Sequence, residues 1–270
     1  ALDARLLLEA VCGTDRNDLL VHGEQPVAPE AEEKYLNWIR QRAEHIPLQQ
    51  LTGEQGFMGL TFSVNEHVLI PRQDTEILVE EVLKELHDGM RVLDMCTGSG
   101  CILLSLLHYS NDCEGLGVDL SAEALEVAGR NVLKVLTPEK AEHAHFLQSD
   151  LFEKVEGKFE IIVSNPPYIA SAEVEKLMPE VRDHEPRMAL DGTEDGLYFY
   201  RRIIEEAGKH LVSSGMLFFE IGYDQGQAVS ELMRTEGYCD VQVVQDYAGL
   251  DRVVFGTYVT VQPAPFAKSR

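Results

Sequence analysis

From residue 91 onward, apolar runs of strand length alternate with amphipathic stretches, and this alternation limits the possible folds more than any other feature of the chain. The run 91–95 breaks into a glycine-bearing turn at 96–100, and a predicted apolar helix follows directly. Further apolar runs lie at 115–118, 143–147 and 159–163. Because strands that alternate with helices pair as a parallel sheet, we predict an α/β fold with crossover helices.

A polar group follows each of these predicted strands. The residues of the first turn are Cys96, Thr97, Gly98, Ser99 and Gly100. Its glycines let the backbone approach a ligand and aim helix N–H groups at it. Asp119 ends the second strand about twenty residues later, where a carboxylate can accept both hydroxyls of a ribose. After the third strand, Asp150 can accept an adenine amino group while Leu151 covers the ring. Together, the strand ends predict a nucleoside-binding site.

Two common nucleotide sites do not fit this turn. No third glycine follows Gly100 at dinucleotide spacing, and no phosphate-binding G-x-x-x-x-G-K-[ST] motif occurs. S-adenosylmethionine, a nucleoside that carries a sulfonium methyl group, fits the four polar groups best. We therefore predict it as the cofactor, with S-adenosylhomocysteine as the product. Taken singly, Asp119 or Asp150 could also be a helix cap.

The fourth predicted strand runs into Asn165, Pro166, Pro167 and Tyr168. Each proline fixes its own φ and biases the preceding residue toward extended geometry, so the carbonyls point in set directions. The Asn165 side-chain oxygen and the Pro166 carbonyl can then accept both N–H bonds of an amide or aromatic amine that attacks an electrophile. We predict Asn165, Pro166 and Tyr168 as catalytic and all four residues as substrate-binding. A tight turn after a strand is the alternative.

The composition restricts the class of substrate and the compartment. A formal net charge of −23 provides no general attraction to nucleic-acid phosphates. The 5 cysteines form no C-x-x-C pair, which predicts a reducing compartment and neither a disulfide framework nor a metal site. Apolar stretches are far shorter than the roughly 20 residues of a membrane span, and no leader is recognisable. We predict a cytoplasmic protein without nucleic-acid or membrane partners.

The chain divides into three predicted parts. Residues 1–52 carry apolar side chains at helical spacing and are predicted as a small helical domain. In residues 53–70, glycines punctuate short β-rich pieces, which predicts a β-hairpin linker. Residues 71–270 are predicted as the catalytic domain.

Three local predictions accompany this division. We expect Trp38 to pack in the core of the helical domain. The first helix of the catalytic domain should be capped by Asp74 or Thr75. The proline-containing tail at 262–265 is expected to fray.

Four segments resemble the HemK/PrmC family, whose members methylate the glutamine in the Gly-Gly-Gln motif of peptide chain release factors. They are IPRQDTE at 70–76, DMCTGSG at 94–100, NPPYI at 165–169 and EPRMALDG at 185–192. Asn-Pro-Pro-Tyr alone is shared with DNA and RNA amino-methyltransferases, whereas the first and last segments are much more specific. The resemblance extends over essentially the whole chain. It implies a protein-glutamine N-methyltransferase that acts in translation termination.

The resemblance also implies the fold and the role of each site residue. The expected fold is that of class I S-adenosylmethionine-dependent methyltransferases: a Rossmann-like seven-stranded sheet with the last strand antiparallel, preceded by a helical domain that docks the release factor. Residues 96–100 would wrap the methionine part of the cofactor, and Asp119 would hold its ribose. Asp150 and Leu151 would flank the adenine, and Asn165 would touch both cofactor and substrate. We expect a monomer.

The sequence departs from the family pattern at a few positions. Cys96 stands where many relatives have glycine, which predicts that this position needs no positive φ. Gln73 replaces a common proline, and Thr193 replaces a glycine, so the mobility of that loop could differ. We predict Arg72 and Arg187 as ion-pair residues buried at the domain junction, with direct substrate contact as the alternative.

Two other functions are compatible with parts of the sequence. One is a nucleic-acid amino-methyltransferase with the same Asn-Pro-Pro-Tyr site, which the acidic charge disfavours. The other is a non-catalytic protein that binds S-adenosylmethionine. Such a protein would carry a damaged site, whereas Asn165, Tyr168 and Asp119 are all present.

Overall fold

The computed structural model describes residues 2–259, which form a group of helices, a small hairpin and a large sheet packed against helices. The α-helices are α1 (Leu2–Cys12), α2 (Arg16–Val21), α3 (Pro29–Ala43), α4 (Leu48–Thr52), α5 (Asp74–Glu85), α6 (Cys101–Tyr109), α7 (Ala122–Val135), α8 (Pro138–Ala141), α9 (Ser171–Val174), α10 (Pro179–Arg182), α11 (Tyr198–Ala207) and α12 (Gly226–Thr235). A 3₁₀ turn spans Arg187–Ala189. The strands are β1 (Glu54–Phe57), β2 (Leu60–Ser63), β3 (Arg91–Met95), β4 (Glu114–Asp119), β5 (Ala144–Gln148), β6 (Phe159–Ser164), β7 (Leu211–Glu220), β8 (Tyr238–Gln245) and β9 (Asp251–Tyr258). The tail at 262–265 lies outside the described residues.

The large sheet has 7 strands in the order β5-β4-β3-β6-β7-β9-β8. Neighbouring strands from β5 to β7 pair in parallel, whereas β9 is antiparallel to both β7 and β8. The predicted seven-stranded sheet with an antiparallel last strand is therefore confirmed. The order reverses at β3, which lies between β4 and β6, and ligands of open α/β sheets bind at such a switch point.

The central strands of the sheet are buried on both faces, and this explains the nearly continuous apolar runs of β3 and β6. Along β6, Ile161 and Val163 belong to a core cluster that includes side chains of α5 and α6. Ile162, between them, belongs to a second cluster that includes side chains of α11 and α12. Because successive side chains of a strand point to opposite faces, one short sequence run contributes to both clusters.

The helices α1–α4 are attached to the rest of the chain by polar contacts. The Arg42 guanidinium in α3 pairs with Asp3 of α1 at 2.7 Å and with Glu180 of α10 at 2.7 Å. The Gln50 side-chain amide in α4 donates to the His184 carbonyl at 2.7 Å. The first helices therefore contact the segment between β6 and α11, which also reaches the cleft described below.

The predicted hairpin is confirmed. Strands β1 and β2 pair antiparallel with Phe57 opposite Leu60. The two connecting residues, Met58 and Gly59, have φ values of 51° and 71°. Positive φ at both central positions matches the twist of the flanking strands in a tight hairpin. The apolar residues 68–70, which also suggested β structure, lie outside the strands and line the cleft or the core instead.

Two local predictions were wrong. Trp38 is only half-buried, and its ring lies 4.4 Å from the Lys34 ammonium rather than in a core. Helix α5 is preceded by Gln73, which forms no side-chain cap. Thr75 does not cap the helix because its buried hydroxyl faces Asn165 instead.

Candidate active site

The carboxyl ends of β3, β4, β5 and β6 surround one cleft, as the sheet order requires. Most of the predicted site residues line it, namely Cys96, Thr97, Gly98, Ser99, Asp119, Asp150, Leu151, Asn165 and Pro167. Gly100, Pro166 and Tyr168 are not among the lining residues. The structure therefore brings the predicted nucleoside-binding residues and the asparagine together in one place.

In the turn after β3, every second residue has a left-handed backbone conformation. Cys96, Gly98 and Gly100 have φ values of 62°, 54° and 77°. The prediction that Cys96 needs no positive φ was wrong: cysteine here occupies a conformation that favours glycine. Burial raises the pKa of its thiol, so Cys96 stays neutral. A Cβ on Gly100 would lie 3.2 Å from the Ala128 Cβ, so this glycine also permits close approach of α6 and α7.

Asp94, at the end of β3, supports the turn and was not among the residues predicted from the sequence. Its side chain is fully buried, and Oδ2 accepts the Thr97 hydroxyl at 2.6 Å and the Leu103 N–H at 3.3 Å. Burial raises the pKa of Asp94 to about 7. The other oxygen has no hydrogen-bond partner among residues 2–259. Asp94 therefore joins the turn to the first turn of α6 at an electrostatic cost.

Asp119 is fixed by backbone donors at the end of β4. Its Oδ2 accepts the Gly98 N–H at 2.8 Å, and its Oδ1 accepts the Ser121 N–H at 3.0 Å. Burial raises the pKa of Asp119, and these hydrogen bonds oppose the shift. Each carboxylate oxygen keeps a further lone pair for a ligand hydroxyl. The carboxylate is thus held in place and can still accept.

Asp150 and Leu151 lie at the end of β5 with different constraints. Asp150 Oδ1 accepts from the Arg202 guanidinium of α11 at 2.9 Å, a partner that the sequence analysis missed. Leu151 is buried and has a φ of 46°, which is unusual for a residue with a bulky side chain. Two strained non-glycine residues, Leu151 and Cys96, therefore line the same cleft.

Asn165 directly follows the last residue of β6. Its Nδ2 lies 3.4 Å from the Thr75 hydroxyl of α5. The preceding Ser164 donates its hydroxyl to the Met95 carbonyl of β3 at 2.6 Å. Pro166 and Pro167 are buried. Rigid prolines and two inter-element hydrogen bonds fix the position of the asparagine.

Tyr168 is turned away from the cleft. Its hydroxyl donates to Glu220 Oε1 of β7 at 3.4 Å, and burial raises the pKa of the phenol. Its carbonyl accepts from the Gln225 side-chain amide at 3.0 Å. In this structure the ring supports the backbone after β6 rather than forming a wall of the cleft.

A glycine-containing loop packs directly on this backbone. The Gly192 N–H donates to the Ile169 carbonyl at 2.8 Å. A Cβ on Gly192 would lie 2.8 Å from the Tyr168 Cα, and a Cβ on Gly196 would lie 2.3 Å from the Tyr168 carbonyl oxygen. Thr193, which replaces a glycine of the family pattern, nevertheless has a φ of 72°. The loop therefore fixes the Asn-Pro-Pro-Tyr segment from outside.

The residues present fit a bound S-adenosylmethionine. Carboxylates that can hold a ribose and an adenine amino group stand at Asp119 and Asp150, on one rim of the cleft. The apolar lining beside them consists of Ile102, Val118, Leu151 and Phe199. Gly98 also lines the cleft, and a Cβ built on it would meet no atom within 4 Å, so there is open space beside the turn. The arrangement matches a nucleoside with an apolar ring and a polar sugar.

Comparison with known proteins decides the family. The profile of the PrmC N-terminal domain matches residues 1–53, and that of the methyltransferase small domain matches residues 72–181. A release factor glutamine methyltransferase of Clostridium acetobutylicum is 42% identical over 256 residues, which cover 93% of this chain and 89% of the relative. The chain belongs to the release factor glutamine methyltransferase family. A relative from Moorella thermoacetica with the same name is 44% identical, with 93% and 89% of the two chains covered.

This membership confirms the resemblance inferred from the motifs. Among solved structures, a methyltransferase from Pyrococcus furiosus superposes with a TM-score of 0.54 at 18% identity, covering 75% of this chain and 91% of that one. That likeness supports the methyltransferase fold. In residues 2–259 of this family member, no helix is both long and apolar enough to cross a membrane.

The two arginines of the family-specific segments form ion pairs, as predicted, but their burial differs from the prediction. Arg72 pairs with the buried carboxylate of Glu185, whose Oε2 also accepts the Ile70 N–H at 3.3 Å. Arg187 pairs with Glu175 at 2.6 Å and its side chain is 58% exposed. Arg187 is therefore a surface residue, whereas Arg72 lines the cleft and is partly exposed.

Several functional candidates in this methyltransferase were not predicted from the sequence. They are Asp94, Thr75, Glu220 and Arg202 around the turn and the asparagine, and His67, Val68 and Leu69 of the linker, which line the cleft. A signal existed for two of them, since Asp94 and Glu220 are acidic residues that directly follow apolar runs of β3 and β7. The others reach the site only through chain segments that are distant in sequence.

Proposed function

We propose that this chain transfers a methyl group from S-adenosylmethionine to the side-chain amide nitrogen of the glutamine in the Gly-Gly-Gln motif of a peptide chain release factor. The observation that carries the proposal is the position of Asn165. It lines the same cleft as Asp119 and the turn residues Cys96–Ser99. An asparagine held by two prolines beside a nucleoside-binding turn suits the delivery of an NH₂ group to a cofactor methyl group.

The cofactor would be held by the residues that the structure places on the rim of the cleft. Asp119 would accept the ribose hydroxyls, and Asp150 would accept the adenine amino group while Leu151 covers the ring. The turn residues 96–100 would contact the methionine part. When bound, S-adenosylmethionine supplies an electrophilic methyl group on a sulfonium sulfur.

Two acceptors would hold the glutamine amide. Asn165 Nδ2 faces Thr75, which leaves Oδ1 free to accept one N–H of the substrate. Among residues 2–259, the Pro166 carbonyl accepts no hydrogen bond. Pro166 is not a lining residue, but it lies between the lining residues Asn165 and Pro167, and we infer that its carbonyl accepts the other N–H. With both protons engaged, the nitrogen lone pair is directed away from the two acceptors. The acceptors also stabilise the positive charge that grows on the nitrogen as it reacts.

The chemical step needs no base before attack. The substrate nitrogen would bond to the methyl carbon as the carbon–sulfur bond of the cofactor breaks, and the electron pair of that bond would stay on sulfur. The nitrogen then loses one proton, which the Pro166 carbonyl or a water molecule can receive on its way to solvent. Because an amide nitrogen is a poor nucleophile, we infer that fixed geometry supplies most of the rate.

The helical part offers a surface on which a release factor can dock. Several apolar side chains there are exposed, namely Leu2, Leu20, Val21, Val27 and Leu36. This part also contacts the segment between β6 and α11, which reaches the cleft. We propose that residues 1–52 form the docking domain, 53–70 the linker and 71–270 the catalytic domain.

The docking role predicts a specific binding defect. The double variant Leu20→Ser/Val21→Ser changes side chains that are 74% and 73% exposed. It should raise the KM for release factor about tenfold, as loss of an interface anchor does, without changing the affinity for S-adenosylmethionine. Leu133→Ser in α7, 84% exposed and outside the helical part, is the matched control. Equal effects of both changes would contradict the docking assignment.

Methyl transfer to a panel of acceptors tests the substrate. Labelled S-adenosylmethionine is offered to intact release factor, to release factor with its Gly-Gly-Gln glutamine replaced, and to duplex DNA. Label on the intact factor alone is the expected result. Label on DNA would favour the nucleic-acid amino-methyltransferase, and cofactor binding without any transfer would favour the non-catalytic alternative.

The role of the asparagine is tested by Asn165→Ala. This change removes one of the two acceptors and should lower kcat about a hundredfold or more, while S-adenosylmethionine still binds. Unchanged single-turnover rates would remove Asn165 from the chemistry. The monomeric state and the cytoplasmic location stay predictions from the sequence.

A further inference from the structure

Arg72 lines the cleft but has no part in the proposed chemistry. Of the residues in 2–259 that line the cleft, it is the one whose side chain is always positively charged. The acidic side chains that line the same cleft are Asp119, Asp150 and Asp191. Ionised carboxylates can only accept hydrogen bonds, whereas a guanidinium can only donate them. Arg72 therefore supplies the cleft with donors that its acidic residues lack.

The Arg72 guanidinium is anchored by one of its nitrogens. Nη2 donates to Oε1 of Glu185, whose side chain is 1% exposed. The other oxygen of Glu185 accepts the Ile70 N–H at 3.3 Å, so this carboxylate is itself fixed. Among residues 2–259 the guanidinium makes no hydrogen bond besides the one to Glu185. Because the Arg72 side chain is 40% exposed, its remaining N–H groups are accessible to a ligand.

The backbone around Arg72 is also fixed. The preceding carbonyl, that of Pro71, accepts from the Gln55 side-chain amide of β1 at 3.1 Å. The Arg72 carbonyl accepts the Thr75 N–H at 3.2 Å. The Thr75 hydroxyl lies 3.4 Å from Asn165 Nδ2, which places Arg72 one turn of chain from a contact of the proposed amide acceptor. A donor that is positioned before the ligand arrives loses little freedom on binding.

The proposed acceptor sequence determines what these donors can bind. In Gly-Gly-Gln, the two residues before the glutamine have no side chains. A protein can recognise them only through their main-chain N–H and C=O groups. A carbonyl that leaves water for the cleft needs a new donor, since a buried polar group without a partner costs free energy. Asn165 and Pro166 are assigned as acceptors for the glutamine amide, and neither assignment provides a donor for the main chain.

We propose that Arg72 is a substrate-binding residue whose free guanidinium N–H groups donate to a main-chain carbonyl of the two glycines before the acceptor glutamine. The inference rests on the proposed function, because it takes the Gly-Gly-Gln segment as the ligand. Glu185 already balances the charge of Arg72. The free donors therefore suit a neutral carbonyl better than a further carboxylate, such as that of the cofactor.

The first test separates substrate binding from cofactor binding. Arg72→Lys keeps the positive charge and a donor for Glu185, but an ammonium lacks the planar fork that reaches two partners at once. We expect the KM for release factor to rise about tenfold, as loss of a hydrogen bond to a charged group does, with little change in kcat. The affinity for S-adenosylmethionine, measured by calorimetry, should stay unchanged, which also shows that the variant is folded. Weaker cofactor binding with an unchanged KM for release factor would assign Arg72 to the cofactor carboxylate and overturn the proposal.

Arg91→Lys is the matched control. The Arg91 side chain is 43% exposed, close to the 40% of Arg72, and it also pairs with a glutamate, Glu114, at 3.7 Å. Arg91 begins β3, and the cleft lies at the other end of that strand. This variant should keep the wild-type KM for release factor. An equal rise of KM in both variants would contradict a specific contact of Arg72.

A change in the substrate separates direct contact from a structural role. An arginine that only held the chain around Glu185 in place could also affect the KM. Release factor is therefore assembled by ligation with a synthetic segment in which a thioamide replaces one glycine carbonyl at a time, because sulfur accepts hydrogen bonds more weakly than oxygen. With the wild-type enzyme, one of the two thioamides should raise the KM about tenfold.

The same thioamide should cause no further rise of KM in Arg72→Lys, because the contact is already lost there. In Arg91→Lys it should act as in the wild type. A purely structural role of Arg72 predicts instead that the effects of the thioamide and of Arg72→Lys add.

The outcomes separate this inference from the proposed function. Additive effects of the thioamide and Arg72→Lys would overturn the contact between Arg72 and the glycines. Thioamides that leave the wild-type KM unchanged would overturn it too. A wild-type enzyme that binds S-adenosylmethionine but leaves unmodified release factor unlabelled would instead overturn the proposed function itself.

Discussion

Gly196→Ala provides the sharpest test of how the loop after the 3₁₀ turn supports the Asn-Pro-Pro-Tyr backbone. Gly196 has a φ of 72°, and a Cβ there would lie 2.3 Å from the Tyr168 carbonyl oxygen. The left-handed conformation alone costs about 1–2 kcal/mol for a residue with a side chain. Overpacking against backbone that cannot rotate away adds about 1–3 kcal/mol. We expect the free energy of unfolding to fall by about 2–5 kcal/mol.

Gly249→Ala is the matched control. Gly249 has a φ of 78°, but a Cβ there would meet nothing within 4 Å, so only the conformational cost of about 1–2 kcal/mol applies. Urea denaturation of both variants measures the difference. Because the Tyr168 carbonyl must move, Gly196→Ala should also lower kcat by about tenfold to a hundredfold, with little change in cofactor affinity. Equal destabilisation by the two changes would refute the assigned clash.

Other predictions concern the cofactor rim and the buried acids. Asp119→Ala should weaken S-adenosylmethionine binding by at least about tenfold, because a charged hydrogen-bond acceptor is lost; unchanged affinity by calorimetry would contradict the ribose role. Arg202→Ala should weaken S-adenosylmethionine binding by about threefold, because Arg202 holds the cleft residue Asp150. Arg201→Ala on the same helix should leave binding unchanged, because its partner Asp195 does not line the cleft. The folded-state pKa values of Asp94 and Glu220, both about 7, lie above their ordinary values, so the native state binds more protons between about pH 4 and 7. The free energy of unfolding should therefore fall as pH rises through that window, less steeply in Glu220→Gln, as chemical denaturation at several pH values would show.

The local geometry of single residues was the part least accessible to sequence reasoning. Cys96 was predicted to avoid positive φ because it is not glycine, yet the closure of the turn onto Asp119 places it at 62°. Trp38 was predicted as core and is half-buried, since no described element covers α3 completely. Arg187 forms the expected ion pair but lies on the surface. In each case the outcome depends on how the residue is surrounded in the folded chain, which no local pattern records.

The sequence by itself determined the α/β class, the seven-stranded sheet through its family resemblance, and the collection of Asp119, Asp150 and Asn165 at one edge. These follow because strand periodicity and strand ends are local properties, and parallel strands bring their carboxyl ends to the same side. Only the tertiary structure decided which buried side chains pack against the Asn-Pro-Pro-Tyr segment. Thr75 and Glu220 are 145 positions apart along the chain, and the packing of α5 against the end of β7 places both beside Asn165 and Tyr168. Burial then shifts the Glu220 pKa, an effect that depends on the surrounding atoms and is not encoded in any local pattern.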